Sequence, residues 1–502
     1  VNPAKPSMDS PPHLRFLRRF SGTFLAIAYF LVMFVFSPFR EQFEFDADEG
    51  IEAMKALLVA RGYSMYAEIW SEQPPLFTYL LAGTFRLFGF EVDVGRTLVL
   101  VFSAVLVGSS FYLLYLTWGA WHALAGAATV FLLPYYTTLS VSVMIGLPSI
   151  ALAGVSLLML ALWHRQRYRL WLVLSAAALA ASVLVKVFTV FLVPIFMIGL
   201  VLGEKHRPDA PDSALLAPAL LWSLVFAGLT ATLGLGLVGP GNLSQLFDVH
   251  FLARQSGMEA LYPGTHPIAW HLREAWAVLL LAGLGTIFAL VRKNWLSIYL
   301  LAWLGAAILL LSFHRPVWYH HQLLVTFPAA LLAGIAAGEG LLLITWLLRR
   351  SKLPLLRRLL AFAALAGFAL LLADRTPRVV PDMVRPPYFA AADHAPWPEQ
   401  MFLVKMSNHA PETRWVVTNL PMYAFRVGLP VTPFLAVMSE KRLSTGELSE
   451  EQIIQIVDEV NPEQVLIGRR SFPELEAYLE QDYRLLYSRG KRLLYLRRDF
   501  RQ

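Results

Sequence analysis

The chain of 502 residues contains no cysteine, which excludes a disulfide framework and a thiolate metal site. Charge is scarce as well: Asp, Glu, Lys and Arg make up 15% of the residues, where a soluble domain carries about a quarter. The charge that exists avoids the middle of the apolar runs. That argues against a transporter or flippase, which holds ionisable residues at midplane depth and often shows repeats. No internal repeat or low-complexity tract is visible. The net charge of +7 is not a nucleic-acid footprint, because the basic residues fall in short segments between apolar runs, where membrane topology accounts for them.

What is abundant is apolar sequence, 57% of the chain. Runs of about 17–25 residues recur from Phe20 to Leu372, the pattern of a polytopic α-helical membrane protein. The basic stretch HLRFLRRF before the first span, roughly 21–39, places the N-terminus in the cytoplasm. That span lacks a small-residue cleavage site and is expected to remain as an anchor. Residues 76–90 supply only about 23 Å of helix against a hydrocarbon core of about 30 Å, and they carry Arg86, so an interfacial helix on the outer surface is expected. If that segment does not cross, the basic loops 164–169, 204–208, 292–294 and 349–358 all lie inside; if it crosses, all four lie outside. The remaining spans are then roughly 97–117, 121–139, 145–163, 168–185, 187–202, 214–239, 274–291, 295–313, 322–347 and 356–373, about eleven in all. Lys186, between two short spans, can snorkel to the surface or face the cavity, and snorkelling is the expectation.

Residues 1–373 therefore read as the membrane domain, with an outer loop at 40–96, and 374–502 as a soluble extracytoplasmic α/β domain. In the latter, SEEQIIQIVDEV and SFPELEAYLEQ each open with a capping-box pattern, Ser449 with Gln452 and Ser471 with Glu474. WVVTNL, QVLIG, YRLLYS and RLLYLRR read as strands. This domain shows no catalytic triad or metal spacing; acceptor recognition or structural support is the expected role.

The outer loop gathers Glu44, Asp46, Asp48, Glu49 and Glu52 into nine residues just past the first span. Ile51, Met54 and Leu58 form one stripe of a short helix. Asp46 with Glu49 suits a helix N-cap, and carboxylates there match the helix dipole. That explains Asp48 less well. A carboxylate at a membrane surface, facing a concave bundle, is also where a general base can sit.

The order of signals in this loop is Asp48-Glu49, Ala60-Arg61-Gly62, Tyr66, Gln73-Pro74-Pro75-Leu76, Phe88-Gly89 and then Arg96 opening the next span. It resembles the lipid-phosphate-sugar-dependent glycosyltransferases of the GT-C fold, nearest the family 39-like (protein mannosyltransferase-like) bacterial enzymes and the aminoarabinose transferases. The likeness is densest over 44–118 and weaker at 314–334, where HRPVWYHHQLLVTFPAALLAG leads into a proline-containing span. The resemblance implies a cell-envelope enzyme of the cytoplasmic membrane. It would move a sugar from a polyprenyl-phosphate donor to an acceptor hydroxyl on a lipid, glycan or protein, outside the membrane and with inversion. By the same resemblance Asp48 would be the general base, with Asp46 and Glu49 beside it. Arg61, Glu72, Gln73, Arg254, Arg315, His320 and His321 would line the substrate site. Glu72 and His250 would be candidate ligands for a divalent metal, although two ligands do not complete a site.

Two positions depart from the family. Gln73 stands where a lysine often precedes the Pro-Pro, and Gly146 stands where a second acid often opens the fourth span. Gly146 leaves open a catalytically degenerate assembly protein, and Trp318 and Tyr319 also suit an interfacial aromatic belt.

Overall fold

The computed structural model describes residues 12–205, 215–243, 245, 268–314, 317–348, 354–384 and 399–499. Helices dominate, in the order α1 (Pro12–Phe36), α2 (Ala47–Ala60), α3 (Leu76–Phe88), α4 (Val92–Thr117), α5 (Ala120–Phe131), α6 (Tyr136–Leu139), α7 (Gly146–Gln166), α8 (Arg169–Val185), α9 (Leu192–Lys205), α10 (Ala217–Val238), α11 (Ile268–Glu274), α12 (Trp276–Val291), α13 (Trp295–Phe313), α14 (Leu323–Leu348) and α15 (Leu355–Val384).

Among the described residues seven helical segments are long and apolar enough to cross a membrane, or eight if α11 and α12, bent by 82° at Ala275, count as one span. Residues 20–36 of α1, together with α3, α5 and α8, are apolar but shorter. The span expected at 121–139 is interrupted: α5 ends at Phe131, Tyr135 takes a left-handed φ of 56°, and the chain resumes as the single turn α6. The segment expected at the interface forms the 13-residue helix α3, which packs against α2 and α4 and leaves Leu87 and Phe88 exposed. α15 runs ten residues past the change in composition at Asp374, and Asp374 pairs with Arg378 one turn on, at 3.1 Å.

The bundle is organised around α14, which packs against α5, α12, α13 and α15. Small residues make this approach close. A Cβ on Gly334 would lie 2.4 Å from the Gly126 Cα of α5, so position 334 needs glycine for the two helices to approach this closely. Residues 329–337 of α14 are almost wholly buried.

The C-terminal region holds a four-stranded sheet of order β1-β2-β4-β3, with β1 (Val416–Thr418) parallel to β2 (Gln464–Ile467) and the other pairs antiparallel. All four expected strands are present; β3 (Tyr483–Arg489) and β4 (Arg492–Arg497) are joined by a two-residue turn with Gly490 at φ 61°. The helices are α16 (Gln400–Asn408), α17 (Pro421–Arg426), α18 (Glu440–Ser444), α19 (Glu450–Val460) and α20 (Pro473–Asp482). Ser449 and Gln452 form the expected capping box on α19. Ser471 does not cap α20, because that helix begins with Pro473 and its N-cap is Phe472. The strands alternate as a two-sided sheet must. Val417, Val465 and Tyr495 pack on α19 and α20, whereas Val416, Leu466 and Leu494 join the same apolar core as α2 and the bundle. The sheet is thus welded to the membrane part by its second face.

Candidate active site

The acidic stretch becomes the N-terminus of α2. Asp46 is its N-cap, with φ −153°, and its Oδ1 accepts from the Asp48 amide at 3.0 Å. Asp46 Oδ2 accepts from the Tyr319 hydroxyl at 3.2 Å, which brings the loop before α14 onto the cap. At the other end Arg86 donates to the carbonyls of Val59 and Ala60, capping the helix with a cation where its dipole is negative.

Glu49 is part of the framework. It is completely buried and pairs with the equally buried Arg96 of α4 at 2.7 Å, and it also accepts from the amides of Phe45 and Val143. Arg96 donates further to the carbonyls of Phe39, Gln42 and Phe43. A buried pair so fully hydrogen-bonded fixes the geometry around it, and its oxygens have no free face for a substrate. Glu44 pairs with Arg469 and Glu52 with Lys55.

Asp48 differs from the other four. Among the described residues no donor or cation bonds to its carboxylate. It stays open to solvent, yet protein surrounds it closely enough that desolvation, with Asp46, Glu52 and Glu72 adding negative charge, raises its pKa to about 7. Those two facts together describe a side chain in a recess.

Lys186 is the cation across that recess. Desolvation lowers its pKa to about 8 while Asp48, Glu52 and Glu72 push it back up. No carboxylate among the described residues lies within ion-pair distance of its ammonium, which rests 5.3 Å from the Phe188 ring. It lines a small hollow with Gly146, Ser149, Thr189, His320 and His321. The expected snorkelling does not occur: Lys186 ends α8 in extended backbone, and this turn aims its side chain inward.

The other sequence-predicted residues divide. His320 and His321 are in the hollow wall. Arg61 donates to the Gly428 carbonyl at 2.9 Å and serves domain docking instead of the recess. Gln73 uses its carbonyl oxygen to accept from Tyr66. Glu72 is held by Lys441 of α18 at 2.9 Å. An ammonium already occupies the face of Glu72 that a divalent ion would need, and no cluster of three metal-ligating side chains occurs among the described residues. His250, Arg254 and Arg315 lie outside the described residues.

Sequence reasoning missed the clamp from the C-terminal domain. Arg426 of α17 donates to the carbonyls of Gln42 and Phe43, both at 2.7 Å, immediately upstream of the cap. Met422 packs on Gly50 so tightly that a Cβ there would lie 2.7 Å from the Met422 amide nitrogen. The Phe43 and Tyr423 rings are 4.8 Å apart.

The sequence profile of the dolichyl-phosphate-mannose-protein mannosyltransferase family matches residues 72–230. No curated protein matches the chain significantly. Among solved structures, the chain is similar to ArnT from Cupriavidus metallidurans bound to undecaprenyl phosphate, with TM-score 0.61, 14% identity and coverage of 95% of this chain and 98% of that one. It is also similar to the oligosaccharyltransferase AglB from Archaeoglobus fulgidus in complex with an inhibitory peptide and a dolichol-phosphate (TM-score 0.55, 11% identity, 90% of this chain, 70% of that one). A third is the mycobacterial arabinofuranosyltransferase AftD (TM-score 0.53, 15% identity, 95% of this chain, 40% of that one). The chain is a multi-pass membrane protein with the GT-C fold, and both its family profile and its structural neighbours are glycosyltransferases.

Proposed function

We propose that the protein is an inverting glycosyltransferase that moves a sugar from a polyprenyl-phosphate carrier to an acceptor hydroxyl at the outer face of the cytoplasmic membrane. The N-terminus would be cytoplasmic, and the sheet domain would lie outside. The observation that carries the reading is Asp48: one carboxylate among five without a partner among the described residues, in a recess at the end of a GT-C bundle. Unpaired charge in a recess is expensive and is kept where chemistry uses it.

In this reading the Asp48 carboxylate takes the proton of the acceptor hydroxyl as its oxygen attacks the anomeric carbon. The bond from that carbon to the phosphate oxygen breaks, and polyprenyl phosphate leaves with the electron pair. Phosphate is a competent leaving group, so a base on one side and positive charge on the other suffice. A pKa near 7 suits a base working at neutral pH. Asp46 positions Asp48 by capping α2. Glu49, Arg96 and Arg426 hold the turn that carries both.

The experiment is turnover by the purified protein with polyprenyl-phosphate sugars, alongside Asp48→Asn. Transfer in the wild type and none in the variant is expected. Full transfer by Asp48→Asn would remove the base assignment. Gly146 favours a second reading, an assembly protein of GT-C form without catalysis; no turnover with any donor, and no carrier-linked sugar accumulating when the protein is lost, would select it.

A further inference from the structure

The hollow holds a cation with no carboxylate within ion-pair distance among the described residues. Lys186 lies in the wall of the hollow, and the residue facing its ammonium is Gly146. A Cβ built on Gly146 would meet only two atoms within 4 Å, Lys186 Nζ at 3.9 Å and the His320 carbonyl oxygen at 3.8 Å. The space in front of the lysine is therefore kept clear by the absence of a side chain. Gly146 is also the first residue of α7, a helix of 21 residues with no side-chain cap. Among the described residues the amides of Gly146 and Leu147 find no acceptor, so they present hydrogen-bond donors and the positive end of the helix dipole toward the same place. His320, in the same wall, has a buried Nδ1 without a partner. Hydroxyls of Ser149 and Thr189 complete the polar lining.

We propose that Lys186, the open N-terminus of α7 and His320 together seat the phosphate group of the polyprenyl carrier, with Gly146 keeping the seat empty for it. This rests on the donor class proposed above and deepens it by naming the binding group. The cations expected from sequence do not serve here: position 73 is a neutral glutamine, and Arg61 is engaged with the C-terminal domain. Lys186 lies beyond ion-pair distance of Asp48 yet near enough for each to shift the other's titration. A sugar between them would have its acceptor side at the carboxylate and its phosphate at the ammonium. The leaving phosphate takes up negative charge as its bond to the anomeric carbon breaks, and the ammonium and amides are aimed at that charge. Lys186 is thus a substrate-binding residue, and Gly146 a position whose lack of a side chain is functional.

The test is binding, read separately from turnover. The detergent-solubilised full chain is titrated with undecaprenyl phosphate and, in parallel, with undecaprenol and with inorganic phosphate, following tryptophan fluorescence, and each variant's melting curve reports its fold. Lys186→Met is expected to weaken undecaprenyl phosphate about 10- to 100-fold, the scale of one charge-assisted hydrogen bond, and to leave undecaprenol unchanged. Lys186→Arg should retain most of the affinity. Gly146→Asp places a carboxylate on the ammonium and should match Lys186→Met, while Gly146→Asn, of equal size and no charge, should lose distinctly less. Undecaprenyl phosphate binding unmoved by Lys186→Met and Gly146→Asp overturns the seat while leaving the enzyme reading intact. Loss of inorganic phosphate binding alone in Lys186→Met assigns the seat to a free anion and overturns the lipid assignment. Failure of the wild type to bind undecaprenyl phosphate removes both readings together.

Discussion

Two charge clusters stand at opposite ends of the bundle, and they are built on opposite principles. At the end where α12 meets α13, Glu339 of α14 is fully buried and meets two guanidinium groups, Arg292 at 2.5 Å and Arg357 at 3.4 Å, with the His122 imidazole also at 3.4 Å. These groups come from α5, α12 and α15, so one carboxylate ties the central helix to three neighbours. At the other end Asp48 and Lys186 are near enough to shift each other's titration, and neither has an ion-pair partner among the described residues. The matched cluster holds helices together. The mismatched one retains charges that the fold itself does not use, and a ligand is what can use them.

The largest expected effect on the comparison is therefore asymmetric. Asp48→Asn should reduce turnover about 100- to 10,000-fold, the contribution of a positioned general base. It should not lower the melting temperature. The sign follows from linkage: the Asp48 pKa is raised from 3.8 to about 7, so its stability contribution is present below 3.8 and lost as pH rises through 7. Neutralising it removes a penalty at pH 8 and should leave the melting temperature equal or higher there, with the gap closing near pH 4. A variant that melts well below the wild type at pH 8 would mean that Asp48 is structural after all.

The converse substitution is Glu339→Ala. It should destabilise the protein by about 1–3 kcal/mol, less than the 3–5 kcal/mol of a wholly buried pair, because Arg292 and Arg357 keep 39% and 40% exposure and can turn to water. Turnover per folded molecule should be unchanged. Denaturant titration in detergent gives the first number and active-fraction-corrected kinetics the second. A drop in specific activity would break the division between the two ends.

Much of this division was legible in local sequence. The cap at Asp46, the apolar stripe of α2, the four strands and the capping box at Ser449 all depend on residues a few positions apart, and local pattern reports them faithfully. Length alone does not say whether the short helices α5 and α8 cross. Glu49 looked like a partner of Asp48 because the two are adjacent, yet its role is set by Arg96, 47 residues on. Arg426 clamps a turn 383 residues upstream, which no periodicity reveals. The position of Lys186 near a span end suits snorkelling and a cavity-facing side chain alike. The extended backbone that ends α8, visible only in three dimensions, turns it inward.

A sharper reading of the recess comes from pH. The base must be deprotonated and the phosphate-holding ammonium protonated, so turnover should fall below about 7 as Asp48 takes up its proton and fall above about 8 as Lys186 loses its own. A narrow bell is expected, and Lys186→Arg should flatten its alkaline limb while leaving the acid limb in place. An unaltered alkaline limb in that variant would detach Lys186 from the reaction.

Smaller effects belong to the C-terminal clamp, where the two contacts to the loop should differ in kind. Arg426→Ala removes three bonds to the Gln42 and Phe43 carbonyls, next to the cap that orients Asp48. A base displaced by a fraction of an ångström loses rate steeply, so kcat should drop about 10-fold with KM little changed. Lys441→Ala should do far less. Its pair with Glu72 is 33% exposed on the lysine side, and such bridges contribute below about 1 kcal/mol. The comparison also tests what Glu72 does. If it only docks α18, then Lys441→Ala leaves both kcat and the response to a chelator as in the wild type. If Glu72 holds a divalent ion in the working enzyme, removing its competing ammonium should raise the melting temperature in added Zn²⁺ beyond the wild-type response, and that result would restore the metal to the site.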